Sequence, residues 1–156
     1  MNYLHVLGAT DFSTIGDLAL GRAAALAVAA NAKLTALTVL AEPEPPSPLI
    51  PHYDINTDEG RIARAKLAAI EALKERVPAS ARESGIEIAY EVRVGDPAGE
   101  ILVCDVQLRP DLIVLATHGR RGWHHWIMGS VSERVVQMAH ADVLSVREHD
   151  EDLDAT

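Results

Sequence analysis

This chain has one cysteine, few aromatic residues and fewer positive than negative charges. Its single cysteine, Cys104, excludes an intrachain disulfide. A chain without disulfides fits a reducing compartment, so a cytoplasmic location is the expectation. Aromatics make up only 4% of residues, so the core must be built from Ala, Val, Leu and Ile. The formal net charge of −9 argues against non-specific binding to nucleic acid or to an anionic membrane, because both need a positive field. It leaves room for an anionic small ligand, since a local cluster can outweigh the global sign. No apolar run approaches the roughly 18 residues that span a bilayer. The opening MNYLHVLGATDFS lacks the basic region and long apolar run of a signal peptide. Also missing are a catalytic triad and a nucleophile-elbow serine.

What is present is one domain's worth of alternating pattern. The chain has 156 residues, 48% of them apolar, which fits a single soluble domain over 1–147 followed by an acidic tail, 148–156. Apolar runs at 3–9, 34–41, 86–94, 111–117 and 143–146 read as strands. A helix starts with Asp11 or Ser13 as N-cap and stops near Asn31. The composition of 58–84 is helical, with an interruption at Pro78 and Gly85 as terminal cap. Asp96-Pro97 opens a helix that runs to about Leu108, with Asp as cap and Pro in the first position. Ser130 to Ala139 carries Val131, Val135 and Met138 on one face. Five prolines between Glu42 and Asp54 forbid a helix or a central strand there. This order predicts an α/β fold, an open doubly wound sheet of five parallel strands with helices on both faces. Ligands of such folds bind outside the carboxyl ends of the strands, where the strand order switches.

Three stretches lie at such ends: Ala9-Thr10-Asp11, Val39 to Ala41, and Ala116 to Gly119. Gly119, Gly122, Gly129 and Ser130 can offer backbone N–H groups to an anion, and Gly129-Ser130 stands where a helix begins. The other reading is that Gly129 makes a turn and Ser130 caps a helix. Two stronger motifs are absent. A Walker A loop needs a lysine, and 116–136 has none; a dinucleotide fingerprint needs three glycines after the first strand, where only Gly8 stands. His118, His124 and His125 lack the spacing of a helical metal pair. Arg120 and Arg121 are either polyphosphate partners or a solvated pair. Trp123 and Trp126 fit packing of the loop better than base stacking. Asp11 is either a cap or a contact to a ribose hydroxyl or Mg²⁺, and it can be both. Cys104 falls in an amphipathic helix, where a buried apolar role is expected.

Together ATDFS, GDPAGEI, DLIVLATHG, GSVSERVV and ADVLSV resemble the universal stress protein family in order and spacing, over nearly the whole chain. The nucleotide-binding branch of that family carries Gly-x-x-Gly, nine residues, then Gly-Ser/Thr. Here the frame is Ala116 to Gly119, a spacer from Arg120 to Met128, then Gly129-Ser130, so the first glycine is replaced by Ala116. The resemblance implies an ATP site (ADP and AMP being the variants), with Mg²⁺ accompanying the phosphates. By position, Ala9, Thr10 and Asp11 approach the nucleoside, and Val39 meets the adenine with its backbone. Leu115, Ala116 and Gly119 line the ribose and phosphates, and Gly129, Ser130, Val131 and Ser132 bind phosphates. The resemblance also implies a homodimer through Val143 to Val146 and a protein partner that the sequence does not name. No catalytic residue is assigned. The alternatives are an interaction module that has lost the nucleotide and a slow ATP hydrolase. Ala116 motivates the first of these, through a positive φ or a close approach that only glycine would allow.

Overall fold

The computed structural model describes residues 3–42, 55–117 and 129–147. Gly119, Gly122, Arg120, Arg121, the histidines and tryptophans of 118–128, the Pro-rich 43–54 and the tail from 148 lie outside the described residues. In chain order the elements are β1 (His5–Ala9), α1 (Thr14–Ala30), β2 (Lys33–Leu40), α2 (Ile55–Arg76), α3 (Ala79–Arg82), β3 (Ile88–Val94), α4 (Pro97–Leu108), β4 (Leu112–Ala116), α5 (Ser130–Met138) and β5 (Asp142–Val146).

From Val6 to Ala9 every residue of β1 is buried, as a strand covered on both faces must be. It occupies the centre of a parallel sheet with the order β3-β2-β1-β4-β5. This is the doubly wound five-stranded fold that the alternation predicts. Side chains divide by parity. Val6, Leu34, Ala36, Leu112 and Val114 join α1, α2 and α3 in one core layer; Leu7, Ala9, Leu37, Ile113 and Leu115 join α4 and α5 in the other. Cys104 is fully buried in the second layer, where burial raises its thiol pKa.

The caps are local. Ser13, rather than Asp11, caps α1, accepting from the Gly16 N–H at 3.1 Å, and Asn31 ends that helix at φ 51°. Asp96 accepts from the Gly99 N–H at 2.9 Å, with Pro97 in the first turn. Pro78 separates α2 from the four-residue α3, and Gly85 follows at φ +85°.

At the amino ends of the strands, carboxylates replace ladder bonds. Asp111 accepts from the N–H groups of Leu4 (2.7 Å) and His5 (2.9 Å). β1 begins at His5, and Leu4, expected in the strand, is exposed. Asp105, itself buried, accepts from the N–H groups of His140 (2.7 Å) and Ala141 (3.3 Å) and so sets the start of β5.

His5 adds a pH dependence. Its Nε2 lies 2.8 Å from the Thr35 hydroxyl. Burial, and then the charge of Lys33, lower its pKa, against weaker opposing effects of the Leu108 carbonyl, Asp111 and Glu87. Below the ordinary imidazole value of 6.5 the unfolded chain therefore binds more protons at this site than the folded one. Stability is present above that value and is lost as pH falls from it towards the depressed folded value. Urea midpoints between pH 7.5 and 5.5 check this: the parent is expected to lose stability more steeply than His5→Gln, and equal slopes would remove His5 as the cause.

Candidate functional site

The sheet switches direction at β1 and β4. The chain leaves β1 through α1 on one face and β4 towards α5 on the other, so a crevice opens at their carboxyl ends. Gly8 is paired with Val114 and Ala9 with Leu37. Thr10 follows Ala9 directly and Asp11 lies in the turn after it, while Val39 and Ala116 lie in the last two residues of β2 and β4, so all four stand at the carboxyl ends of adjacent strands.

The turn after β1 is held by its own side chains. The Thr10 N–H donates to the Leu37 carbonyl at 2.9 Å, the last rung on that side of β2. The Thr10 hydroxyl donates to Asp17 Oδ1 (2.9 Å) and accepts from the Phe12 N–H (3.0 Å). Asp11 Oδ1 accepts from the Ser13 N–H at 3.0 Å and from the Ser13 hydroxyl. Asp11 therefore braces the cap residue instead of capping the helix. Phe12 takes φ 63°, the left-handed region that side chains disfavour.

Val39 offers a backbone edge. The Leu37 carbonyl points towards β1, where Thr10 binds it, and the Leu40 carbonyl points towards β3, where Gly95 N–H binds it at 2.9 Å. Successive peptide groups of a strand alternate sides, so Val39 shares the side of Leu37. Beyond Thr10 the chain of β1 has turned away into α1. The N–H and carbonyl of Val39 consequently point to the mouth of the crevice as a donor and acceptor pair.

Ala116 is the last residue of β4, paired with Val146. It is not among the described residues with positive φ. Its methyl group packs with the α1 layer, while Leu115 faces the α4 and α5 layer. Backbone strain therefore gives no reason for glycine at this position.

Opposite stands the amino end of α5. Thr117 binds Val146 through its N–H (2.9 Å), and its carbonyl accepts from the Gly129 N–H (2.7 Å), so Thr117 and Gly129 are held together. The Ser132 hydroxyl lies 3.0 Å from the Thr117 carbonyl and 2.9 Å from that of Gly129. Ser132 is buried, and its single hydroxyl proton is committed to those carbonyls, which leaves its N–H as the group that can face a ligand. Gly129, at φ −62° and ψ 150°, is extended backbone and provides no side-chain cap. The first N–H groups of α5, from Ser130, Val131 and Ser132, lack intrahelical acceptors and carry the positive end of the helix dipole. That is an anion-binding arrangement. Gly119 lies outside the described residues.

Sequence reasoning missed Gly16. A Cβ there would lie 2.5 Å from Asp11 Oδ1 and 2.9 Å from Thr10 Oγ1. A glycine in the first turn of an otherwise Ala-rich helix was the available signal. Thr117, whose carbonyl gathers two donors, was also missed.

The sequence model of the Universal stress protein family matches residues 2–147. A universal stress protein of Methanocaldococcus jannaschii is 43% identical over 77 residues, 49% of this chain and 45% of that relative, so the match spans less than half of the relative's length. Universal stress protein UspA from Lactobacillus plantarum superposes with a TM-score of 0.78 at 27% identity, over 94% of this chain and 99% of that one. A universal stress protein solved in complex with cAMP superposes with a TM-score of 0.66 at 27% identity, over 96% and 100%.

Proposed function

Since the chain belongs to the universal stress protein family, we propose that it binds ATP across the carboxyl ends of β1, β2 and β4, and that the bound nucleotide sets the state in which a homodimer meets a protein partner. The observation that carries this reading is the convergence of three groups on one crevice: the Val39 backbone pair, the braced Asp11, and the uncapped amino end of α5. The chemistry of the donor set fits the ligand. A strand edge with one donor and one acceptor matches the hydrogen-bonding edge of adenine. A carboxylate can accept from ribose hydroxyls. The N–H groups of Ser130, Val131 and Ser132 suit phosphate oxygens, with Gly129 allowing close approach. Ala9, Thr10, Leu115 and Ala116 form the floor. Mg²⁺ would arrive with the phosphates.

A similar fold in complex with cAMP supports the adenine nucleotide class. The negative φ of Ala116 removes the backbone reason for a module that has lost its ligand. For the homodimer, β5 is an edge strand with Leu144 exposed, which suits pairing through Val143 to Val146. A monomeric mass by light scattering at micromolar concentration would remove that part.

The nucleotide itself is tested by melting the chain with and without millimolar ATP and Mg²⁺, and by mass analysis of any nucleotide released from freshly purified protein. At a concentration about 100 times Kd, linkage stabilises the fold by about 2.7 kcal/mol, a rise of several degrees in Tm. An unmoved Tm together with nucleotide-free protein would end the proposal.

A further inference from the structure

We infer that Arg76, in the last turn of α2, is a positioning residue for the ligand-facing turn Thr10-Asp11, and that it couples this turn to α2. The inference rests on the nucleotide reading above. Phe12 sits in a backbone conformation that an aromatic residue adopts only when its surroundings hold it. Arg76 supplies much of the hold. Its guanidinium carbon lies 4.6 Å from the centroid of the Phe12 ring. Its Nε donates to Asp17 Oδ2 at 3.1 Å. The other oxygen of Asp17 accepts from the Thr10 hydroxyl, and Thr10 Oγ1 accepts in turn from the Phe12 N–H.

These contacts close on themselves through Thr10, Asp17, Arg76 and Phe12. Asp11 is the residue between the two ends of the circuit, so its direction is set by both neighbours. Arg76 is itself anchored, donating from Nη1 to the Ala72 carbonyl at 3.2 Å. The guanidinium thus has three fixed contacts, which a flexible ammonium cannot reproduce. The Arg76 and Asp17 side chains are 33% and 35% exposed, where an ion pair contributes little to stability. Position is what the circuit controls. By reciprocity, a nucleotide that orders Asp11 also tightens the end of α2.

The test compares the full chain with Arg76→Gln, Arg76→Lys and Arg82→Gln. Arg82 is exposed on α3, and its loss removes the same charge without touching the circuit. Two readouts are taken: ATP affinity by calorimetry, and amide exchange of residues 10–17 in nucleotide-free protein. Arg76→Gln is expected to weaken ATP about fivefold or more and to speed exchange in 10–17, with exchange in β1 and β4 and the Tm close to the parent. Arg76→Lys should recover part of both, and Arg82→Gln should match the parent. Parent-like affinity and exchange in Arg76→Gln would overturn the inference, as would an equal affinity loss in Arg82→Gln. If the parent binds no ATP, the nucleotide reading fails. Exchange in 10–17 then decides alone: faster exchange in Arg76→Gln upholds the positioning role, and unchanged exchange overturns it.

Discussion

Gly8→Ala is expected to destabilise the fold by about 2–3 kcal/mol, and Gly8→Val to leave little folded protein at all. Local propensity points the other way, because valine favours a strand and glycine weakens one. Packing decides. Gly8 lies in the central strand with its α-carbon turned towards α1, and a Cβ there would lie 2.6 Å from the Cβ of Ala23 and 3.1 Å from Leu20 Cδ1. Carbon atoms rest at about 3.5–4.0 Å. Leu20 can change rotamer, but the Cβ of Ala23 moves only with its backbone, so α1 as a whole must retreat by about an ångström. That retreat would open the layer formed by Ala19, Ala23, Ala24 and Ala27, all of them buried. It would also pull on the Ser13 cap and the turn that carries Asp11. Against a total stability of roughly 5–15 kcal/mol, such a cost is a large share. Urea denaturation of Gly8→Ala, with the soluble yield of Gly8→Val, measures it. A Gly8→Ala midpoint equal to the parent's would show that α1 is not seated closely on β1.

What the sequence made legible divides by distance along the chain. Strand and helix order, the Asp96-Pro97 start, the Asn31 stop and the break at Pro78 are local chemistry, and the observed elements follow them. The alternation likewise predicts an open doubly wound parallel sheet, but the strand order β3-β2-β1-β4-β5 is set by the packing of the folded chain. Bonds between residues far apart were not legible. Nothing in the letters pairs Arg76 with Asp17, 59 positions away, or turns Asp111 towards Leu4 and His5. The direction of a hydroxyl is equally silent: Ser132 stood out as a phosphate donor, yet its proton serves the Thr117 and Gly129 carbonyls. The doubt over Ala116 had the same origin. A motif position specifies glycine without saying whether φ or space requires it, and φ is a property of the folded backbone.

Gly16→Ala should improve the helix and damage the site, and the two effects can be measured apart. In the first turn of α1, alanine is the better helix former by up to about 1 kcal/mol. The added Cβ, however, would lie 2.5 Å from Asp11 Oδ1, 2.9 Å from Thr10 Oγ1 and 3.1 Å from the Asp11 nitrogen. None of these atoms is free to swing away. Asp11 Oδ1 holds the Ser13 N–H and hydroxyl, Thr10 Oγ1 bridges Asp17 and Phe12, and the nitrogen is main chain. The turn must shift by a few tenths of an ångström or more, and the ribose contact proposed for Asp11 would lose its geometry over such distances. ATP affinity is expected to fall at least tenfold, about 1.4 kcal/mol, while Tm stays within a few degrees because the helix gain offsets part of the strain. Gly21→Ala in the same helix is the control. A Cβ at Gly21 meets nothing within 4 Å, so this change should raise Tm slightly and leave ATP affinity alone. Parent affinity in Gly16→Ala would mean that Asp11 does not touch the nucleotide. An equal loss in Gly21→Ala would mean that α1 acts through its overall stability and not through the contact between Gly16 and the turn.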